Sequence, residues 1–274
     1  MDDKDIPETV EEIRLRMGDM IENMVKEGET IAVWFSCGAA SAVAAKKTIE
    51  KYGKIAKIRV VNNPIKEEHS DNMRFLRDVE AWLGVPVEFA INDKYPTGSC
   101  VDVWEKRRFM SGPQGAPCTT ELKKTARKQW ELSNHADWHV LGFTFEEKKR
   151  SDNFILGERS NLIPVLIDEG ITKAQCFQIV KDAGIELPEI YKLGYPNANC
   201  IGCVKATSPT YWNHVRKMHP AVFDERAKQS RDIGARLVRV KGERFFLDEL
   251  DPKTKGRPLK NMSFECGIFC EESV

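Results

Sequence analysis

A strand, a knot of small residues and a helix follow one another without interruption in residues 31–47, IAVWFSCGAASAVAAKK. Few folds accommodate that order. Ile31, Val33 and Phe35 have the β-branched and aromatic character of a buried strand, and Ser41–Lys47 is rich in good helix formers, so Ser36–Ser41 must turn between them. The first turn of a helix leaves N–H groups unpaired and carries the positive end of the helix dipole, which suits a phosphate or sulfate. Small side chains let such a group reach the backbone, and Ser36 and Ser41 add hydroxyls. A turn that binds nothing would read the same, so its surroundings must decide.

The alternation continues along the chain. KIAKIRVVNN, VPVEFAIN, ADWHVLGFT and NLIPVLI read as four further strands, with helices over EEHSDNMRFLRDVEAWLG and TKAQCFQIVKDAGI. This pattern predicts an α/β fold, a doubly wound parallel five-stranded sheet of Rossmann-like type. Ligands of such sheets lie beyond the carboxyl ends of the strands. The 36–41 turn, Asn62–Asn63 and Gly142–Phe143–Thr144 are therefore expected to converge, with Ser36, Cys37, Gly38, Ala39, Ser41, Asn62, Gly142 and Phe143 as candidate contacts. Glu147 and Arg150 follow the fourth strand and join them. Apolar residues from Val10 to Val25 recur at helical spacing, which predicts an N-terminal helix within residues 1–28. The α/β unit is expected over 29–193, and a cysteine-bearing C-terminal extension over 194–274, with two helices around 208–235 and a hairpin turning at Lys241–Gly242. Residues 92–117 read as an irregular insertion, followed by a helix from about Cys118 to Ser133. Lys123 and Lys124, near its start, either meet a ligand phosphate or form a solvated face; Arg107 and Arg108 form a lid or plain surface. His135 and His139 are expected to flank the fourth strand, and His214 and His219 to lie on helix surfaces.

The chain has 42 basic and 42 acidic residues. This balance argues against a broad electrostatic nucleic-acid binder, and leaves nucleic acid as a substrate without support. The acidic N-terminal stretch has no apolar signal core, and no uncharged run approaches the length of a membrane span, so a cytoplasmic protein without membrane association is expected. Eight cysteines in such a chain point to metal binding or thiol chemistry rather than a disulfide framework. Cys200 and Cys203 form a chelating pair in which Gly202 permits a sharp bend, and Cys266 and Cys270 form a second close pair. An iron–sulfur cluster, [4Fe–4S] in type, or zinc would suit them, and a redox dithiol or a chance pair that holds no metal would read the same. Cys37, Cys100 and Cys176 have no close partner in sequence.

Taken in order, these features resemble the phosphoadenosine phosphosulfate (PAPS) reductase family of the adenine nucleotide alpha hydrolase, or PP-loop, superfamily. FSCGAAS stands where the family has its phosphate loop, PCTTELKK resembles its cysteine segment ahead of a basic helix, and GFTFEEKKR its motif after the fourth strand. LPEIYKLGYPNANCIGC is similar to the Tyr-x-x-Gly-Tyr segment leading to CxxC, and ECGIF to the carboxyl-terminal motif with the catalytic thiol. The resemblance implies an adenine nucleotide ligand (PAPS, adenylyl sulfate or ATP) and Cys266 as nucleophile; Cys270 is extra to the family's motif, and one allocation consistent with the resemblance makes Cys118, Cys200, Cys203 and Cys270 the cluster ligands. A rival set closes the site with Cys200, Cys203, Cys266 and Cys270. The sequence departs from ATP-cleaving members, because Cys37 replaces a loop glycine and Ala40 an aspartate. It departs from cluster-bearing reductases in having Pro117–Cys118 in place of adjacent cysteines. Phe269 replaces the histidine common after the carboxyl-terminal motif.

Three functions follow. The first is reduction of a sulfonucleotide to sulfite, with a thioredoxin-like reductant releasing the product. The alternative is an ATP-dependent, cluster-dependent sulfurtransferase that thiolates a nucleic acid or small molecule. The third is a non-catalytic nucleotide-binding or interaction protein. Oligomeric state is not legible.

Overall fold

The computed structural model describes residues 25–113 and 115–259. The helix expected before residue 25 and the tail with Cys266 and Cys270 lie outside the described residues.

Strand β1 (Thr30–Trp34) enters the turn and continues as helix α1 (Ala39–Tyr52). Then follow β2 (Lys57–Asn62), α2 (Asn72–Leu83) and β3 (Val87–Phe89). Helix α3 (Cys100–Arg107) precedes a helical run made of Pro117–Thr119, a π-helical stretch Thr120–Thr125 and α4 (Ala126–Ser133). Strand β4 (Trp138–Val140) leads through a 3₁₀ turn, Phe145–Glu147, to α5 (Lys148–Gly157). The short α6 (Val165–Asp168), α7 (Lys173–Asp182) and the short α8 (Glu189–Lys192) complete this half.

The sheet is parallel, four-stranded and ordered β3-β2-β1-β4. Alternation along β1 explains how it is covered. Ile31, Val33 and Phe35 pack with Val43, Phe75 and Val180 on one face, while Ala32 and Trp34 pack with Trp130 and Phe154 on the other. Helices thus lie on both faces, and the order reverses at β1, between β2 and β4. That is where a doubly wound sheet opens a crevice at its carboxyl edge.

The fifth strand expected at NLIPVLI does not form. Leu162 makes a single parallel bridge to His139, and Pro164, which has no N–H to donate, is followed at once by α6. The region expected to be irregular between 92 and 117 contains α3, capped by the Ser99 hydroxyl on the Asp102 N–H at 3.3 Å. His139 does not flank β4 but lies within it, 1% exposed.

Beyond Gly194 the chain builds α9 (Pro209–Met218), α10 (Pro220–Ile233) and a hairpin, β5 (Val238–Val240) with β6 (Glu243–Phe245). Its turn residues Lys241 and Gly242 both have positive φ, 46° and 95°, as a tight hairpin turn requires. These elements share a separate apolar core, around Trp212 and Val238, with Trp104 and Met110 from α3 and its exit. No helix among the described residues is long and apolar enough to cross a membrane.

Candidate functional site

At the end of β1 the turn is braced from within. Cys37 takes a left-handed conformation, φ 56°, where a side chain is strained and glycine would be at ease. Its thiol is buried and receives the Asn62 amide at 3.5 Å, while the same amide donates to the Phe35 carbonyl at 2.7 Å. Asn62, 3% exposed, therefore holds the turn from behind rather than facing the crevice. The Ser41 hydroxyl accepts from the Ser36 N–H at 3.1 Å and donates to the Gly38 carbonyl at 3.0 Å. The exposed Ser36 hydroxyl lies 3.2 Å from it.

Gly142, after β4, meets this turn closely. A Cβ there would stand 2.7 Å from the Ser41 nitrogen, so only glycine lets the β4 exit and the start of α1 touch. The expected convergence of these two stretches at the switch point is present. Phe143 is buried beneath Arg150, whose guanidinium lies 4.8 Å from the ring centroid. Arg150 also donates to Glu147 at 2.7 Å. The Tyr191 hydroxyl, from α8, accepts from the Ala39 N–H and would lie 3.3 Å from a Cβ on Gly38. Burial pushes the Tyr191 phenol up to about 12, so at neutral pH an uncharged hydroxyl occupies the first donor of α1.

Next to the turn is a cavity lined by four cysteines: Cys100, Cys118, Cys200 and Cys203. Cys118, Cys200 and Cys203 were expected together; Cys100 was not. Cys100 hydrogen-bonds to Cys118 and Cys200, and these bonds and its burial raise its thiol well above the usual range. Cys200 is half-buried and the others are buried, and none of the described cysteines is in a disulfide. Among the described residues no group of three or more His, Cys, Asp or Glu side chains is arranged as around one metal ion.

Each wall of the cavity has a local cause. Glu67, in the segment after β2, caps α3: its carboxylate accepts from the Cys100 N–H at 2.7 Å and the Ser99 hydroxyl at 2.9 Å. Its carbonyl accepts from the Ile201 N–H at 2.9 Å, so one residue ties Cys100 to the Cys200–Cys203 loop. That loop turns at Gly202, φ 70°, and the Tyr211 hydroxyl accepts from the Cys203 N–H at 2.8 Å. Lys123 and Lys205 also line the cavity. Lys123 pairs with Glu68 at 3.8 Å, both side chains being about one-tenth exposed. Burial holds the Cys37 thiol far above its ordinary range, Glu68 adds to the effect and Lys123 opposes it. The turn and the cysteine cavity thus share one electrostatic environment.

The remaining candidates stand elsewhere or are committed to partners. Arg107 donates to Glu121 at 3.0 Å through Nε, and Arg108 to Asp232 at 2.6 Å. Cys266 and Cys270 lie outside the described residues. Sequence reasoning missed Cys100, Trp104, Glu67 and Tyr191. The Ser99-x-x-Asp102 pattern, a helix-start signal, was the available hint that Cys100 begins a helix rather than sitting in a loop.

No family model matches the chain, and no curated protein matches it. Among solved structures it is similar to the U34-tRNA thiolase NcsA from Methanococcus maripaludis with its [4Fe–4S] cluster, at 12% identity and a TM-score of 0.47, covering 94% of this chain and 90% of the other. It is also similar to the NH3-dependent NAD synthetase from Campylobacter jejuni in complex with the nitrate ion, at 11% identity and a TM-score of 0.38, covering 83% and 96%. At TM-scores below 0.5 these likenesses bear on neither the reaction nor the roles of individual residues.

Proposed function

We propose that the chain is an adenine-nucleotide-dependent enzyme of sulfur chemistry, in which ATP-driven sulfur transfer to an acceptor takes place beside an iron–sulfur cluster held by Cys100, Cys118, Cys200 and Cys203. The adjacency of the two halves carries this reading: Cys37 of the turn feels the charges of Lys123, in the cavity wall, and of its partner Glu68.

The donor set suits a cluster. Four thiols line one cavity, and two lysines in its wall offset negative charge. Clusters of this type are held by four cysteine thiolates. When bound, the cluster would supply electron delocalisation and, at an iron that one of the four thiols leaves open, a Lewis-acidic site for the sulfide to be transferred. The chain's own residues do the rest. The turn and the start of α1 seat the phosphates, Gly142 lets the β4 exit close on that turn, and Glu147 holds Arg150 over Phe143 at the rim.

Reduction requires a nucleophilic thiol besides the ligands, and the described cysteines outside the cavity are unsuited to it. Burial raises Cys37 far above neutrality and Cys176 up to about 12, so both stay protonated. Sulfonucleotide reduction is the second reading. One observation favours it: with four cysteines already at the cavity, Cys266 and Cys270 are not needed as ligands and remain available as thiols.

Anaerobic purification with iron, sulfide and zinc analysis tests the cavity. Incubation with ATP and nucleic-acid or small-molecule acceptors, and separately with PAPS or adenylyl sulfate plus reduced thioredoxin, tests the reaction. Pyrophosphate formed together with thiolated product supports transfer, and sulfite supports reduction. Stoichiometric zinc with nucleotide affinity but no turnover would leave a binding protein with a closed structural site.

A further inference from the structure

Trp104 lines the four-cysteine cavity and is 2% exposed, and its indole N–H has no hydrogen-bond partner among the described residues. The indole nitrogen only donates, and buried donors are nearly always paired. Leaving one unpaired is costly enough to require a reason. A second orphan lies against the same ring. Arg226, also 2% exposed, places its guanidinium 4.6 Å from the Trp104 ring centroid, and its Nε likewise lacks a partner. That nitrogen would be 3.4 Å from a Cβ on Gly202, so Arg226 abuts the Cys200–Cys203 loop. Among the described residues Arg226 bonds only to the neutral Gln229 amide and to no carboxylate. A buried cation without a counter-charge is expensive.

An unpaired donor in the cavity wall and an unpaired cation behind it call for the same kind of occupant: an acceptor that is anionic and rich in sulfur. We infer that Trp104 donates its indole N–H to a sulfur of the cluster held by the four thiols, while Arg226, stacked on the ring, fixes the indole and offsets the cluster's negative charge. The inference rests on the cluster reading of the cavity and adds to it what tunes the cluster. Hydrogen bonds to cluster sulfurs and nearby positive charge both favour the reduced form. Trp104 is thus a positioning and tuning residue, not one that touches the nucleotide.

The test uses the full chain purified anaerobically as wild type, Trp104→Phe, Arg226→Lys and Arg226→Gln. Iron and sulfide per chain are measured first, and the reduced fraction is then followed by electron paramagnetic resonance against poised mediators. Trp104→Phe should keep its iron and sulfide, with the reduced-to-oxidised ratio at a fixed potential falling about five- to tenfold, the equivalent of one hydrogen bond. A Trp104→Phe protein with a full cluster and an unchanged potential would overturn the inference. Should that variant lose its cluster, Arg226→Gln must titrate at a lower potential than Arg226→Lys, and equal potentials would overturn it instead. Wild-type protein without iron would remove the cluster reading itself, an outcome distinct from either.

Discussion

The Cys100 N–H donates to the Glu67 carboxylate across 2.7 Å, which joins the start of α3 to the segment leaving β2. The same carboxylate takes the Ser99 hydroxyl, and the Glu67 carbonyl takes the Ile201 N–H. One residue therefore sets the entry of α3 through its side chain and ties that entry to the Cys200–Cys203 loop through its backbone carbonyl. Glu67→Ala should cost about 1–2 kcal/mol, the worth of a charged helix cap, and should lower iron retention more than the stability loss alone explains. Glu67→Gln keeps an acceptor and should fall between. Thermal melts of metal-free and loaded protein check this; a Glu67→Ala protein with wild-type melting and wild-type iron would sink it.

Cys100 and Cys270 offer a direct contrast between two ligand sets. Cys100 shares the cavity with Cys118, Cys200 and Cys203, whereas Cys270 entered as the fourth member of an allocation built on the family resemblance. Cys100→Ser should lose most of its iron and sulfide, and should melt lower once loaded protein is the reference, since a bound cluster contributes folding free energy. Cys270→Ser should keep both. The reverse pattern in elemental analysis would restore the tail cysteine as a ligand.

Features of short range were legible in the sequence, and those that depend on distant partners were not. The β-branched and aromatic character of Ile31, Val33 and Phe35 anticipated a buried strand, as observed. Lys241–Gly242 marked the hairpin because its turn needs positive φ at both residues. The fifth strand failed on one atom: Pro164 has no N–H to extend the bridge begun at Leu162. Cys100 was set aside because its partners Cys118 and Cys200 are remote in sequence, and only the packing of α3 against the later loop brings them together. Asn62 was placed correctly beside the turn but misread in orientation, since its amide is drawn inward by the Phe35 carbonyl and the Cys37 thiol.

Gly142 and Gly38 flank the same turn but should differ in tolerance. A Cβ on Gly142 would lie 2.7 Å from the Ser41 nitrogen and 2.8 Å from its Cα, both backbone atoms that cannot swing away. On Gly38, whose φ is −104°, the closest atom is the movable Tyr191 hydroxyl at 3.3 Å. Gly142→Ala should therefore destabilise by about 1–3 kcal/mol, the usual cost of overpacking, and weaken adenine-nucleotide binding at least about tenfold if the turn seats the phosphates. Gly38→Ala should cost less than about 1 kcal/mol. Urea unfolding and calorimetric titration with ATP separate the two effects, and equal stability losses at both positions would contradict the packing argument.

His139 should make the protein acid-sensitive for a reason unconnected with the cysteines. It is buried in β4, with the Trp34 indole N–H donating to Nδ1 at 3.2 Å and the Arg159 guanidinium 2.7 Å from Nε2; the neutral ring keeps one nitrogen as an acceptor, and a second proton would set an N–H against the donor that nitrogen now faces. Burial, then the positive charges of Arg159 and Arg127, push it down to about 3. Glu131 lies 3.7 Å away and would favour the charged ring, but its oxygens are engaged by Arg127 and Arg159. The unfolded chain takes up this proton near pH 6.5 and the folded protein only near 3, so between those values the unfolded state holds more protons. The stabilisation is complete above about pH 6.5 and is lost as pH falls toward 3, with a slope of up to about 1.4 kcal/mol per pH unit from this group. His139→Gln, which retains an acceptor for Arg159 but cannot take up a proton, should be less stable at pH 7 yet lose stability more slowly on acidification. Urea midpoints measured from pH 7 to 4.5 for both proteins decide the matter, and parallel curves would show that the ring does not carry the acid response.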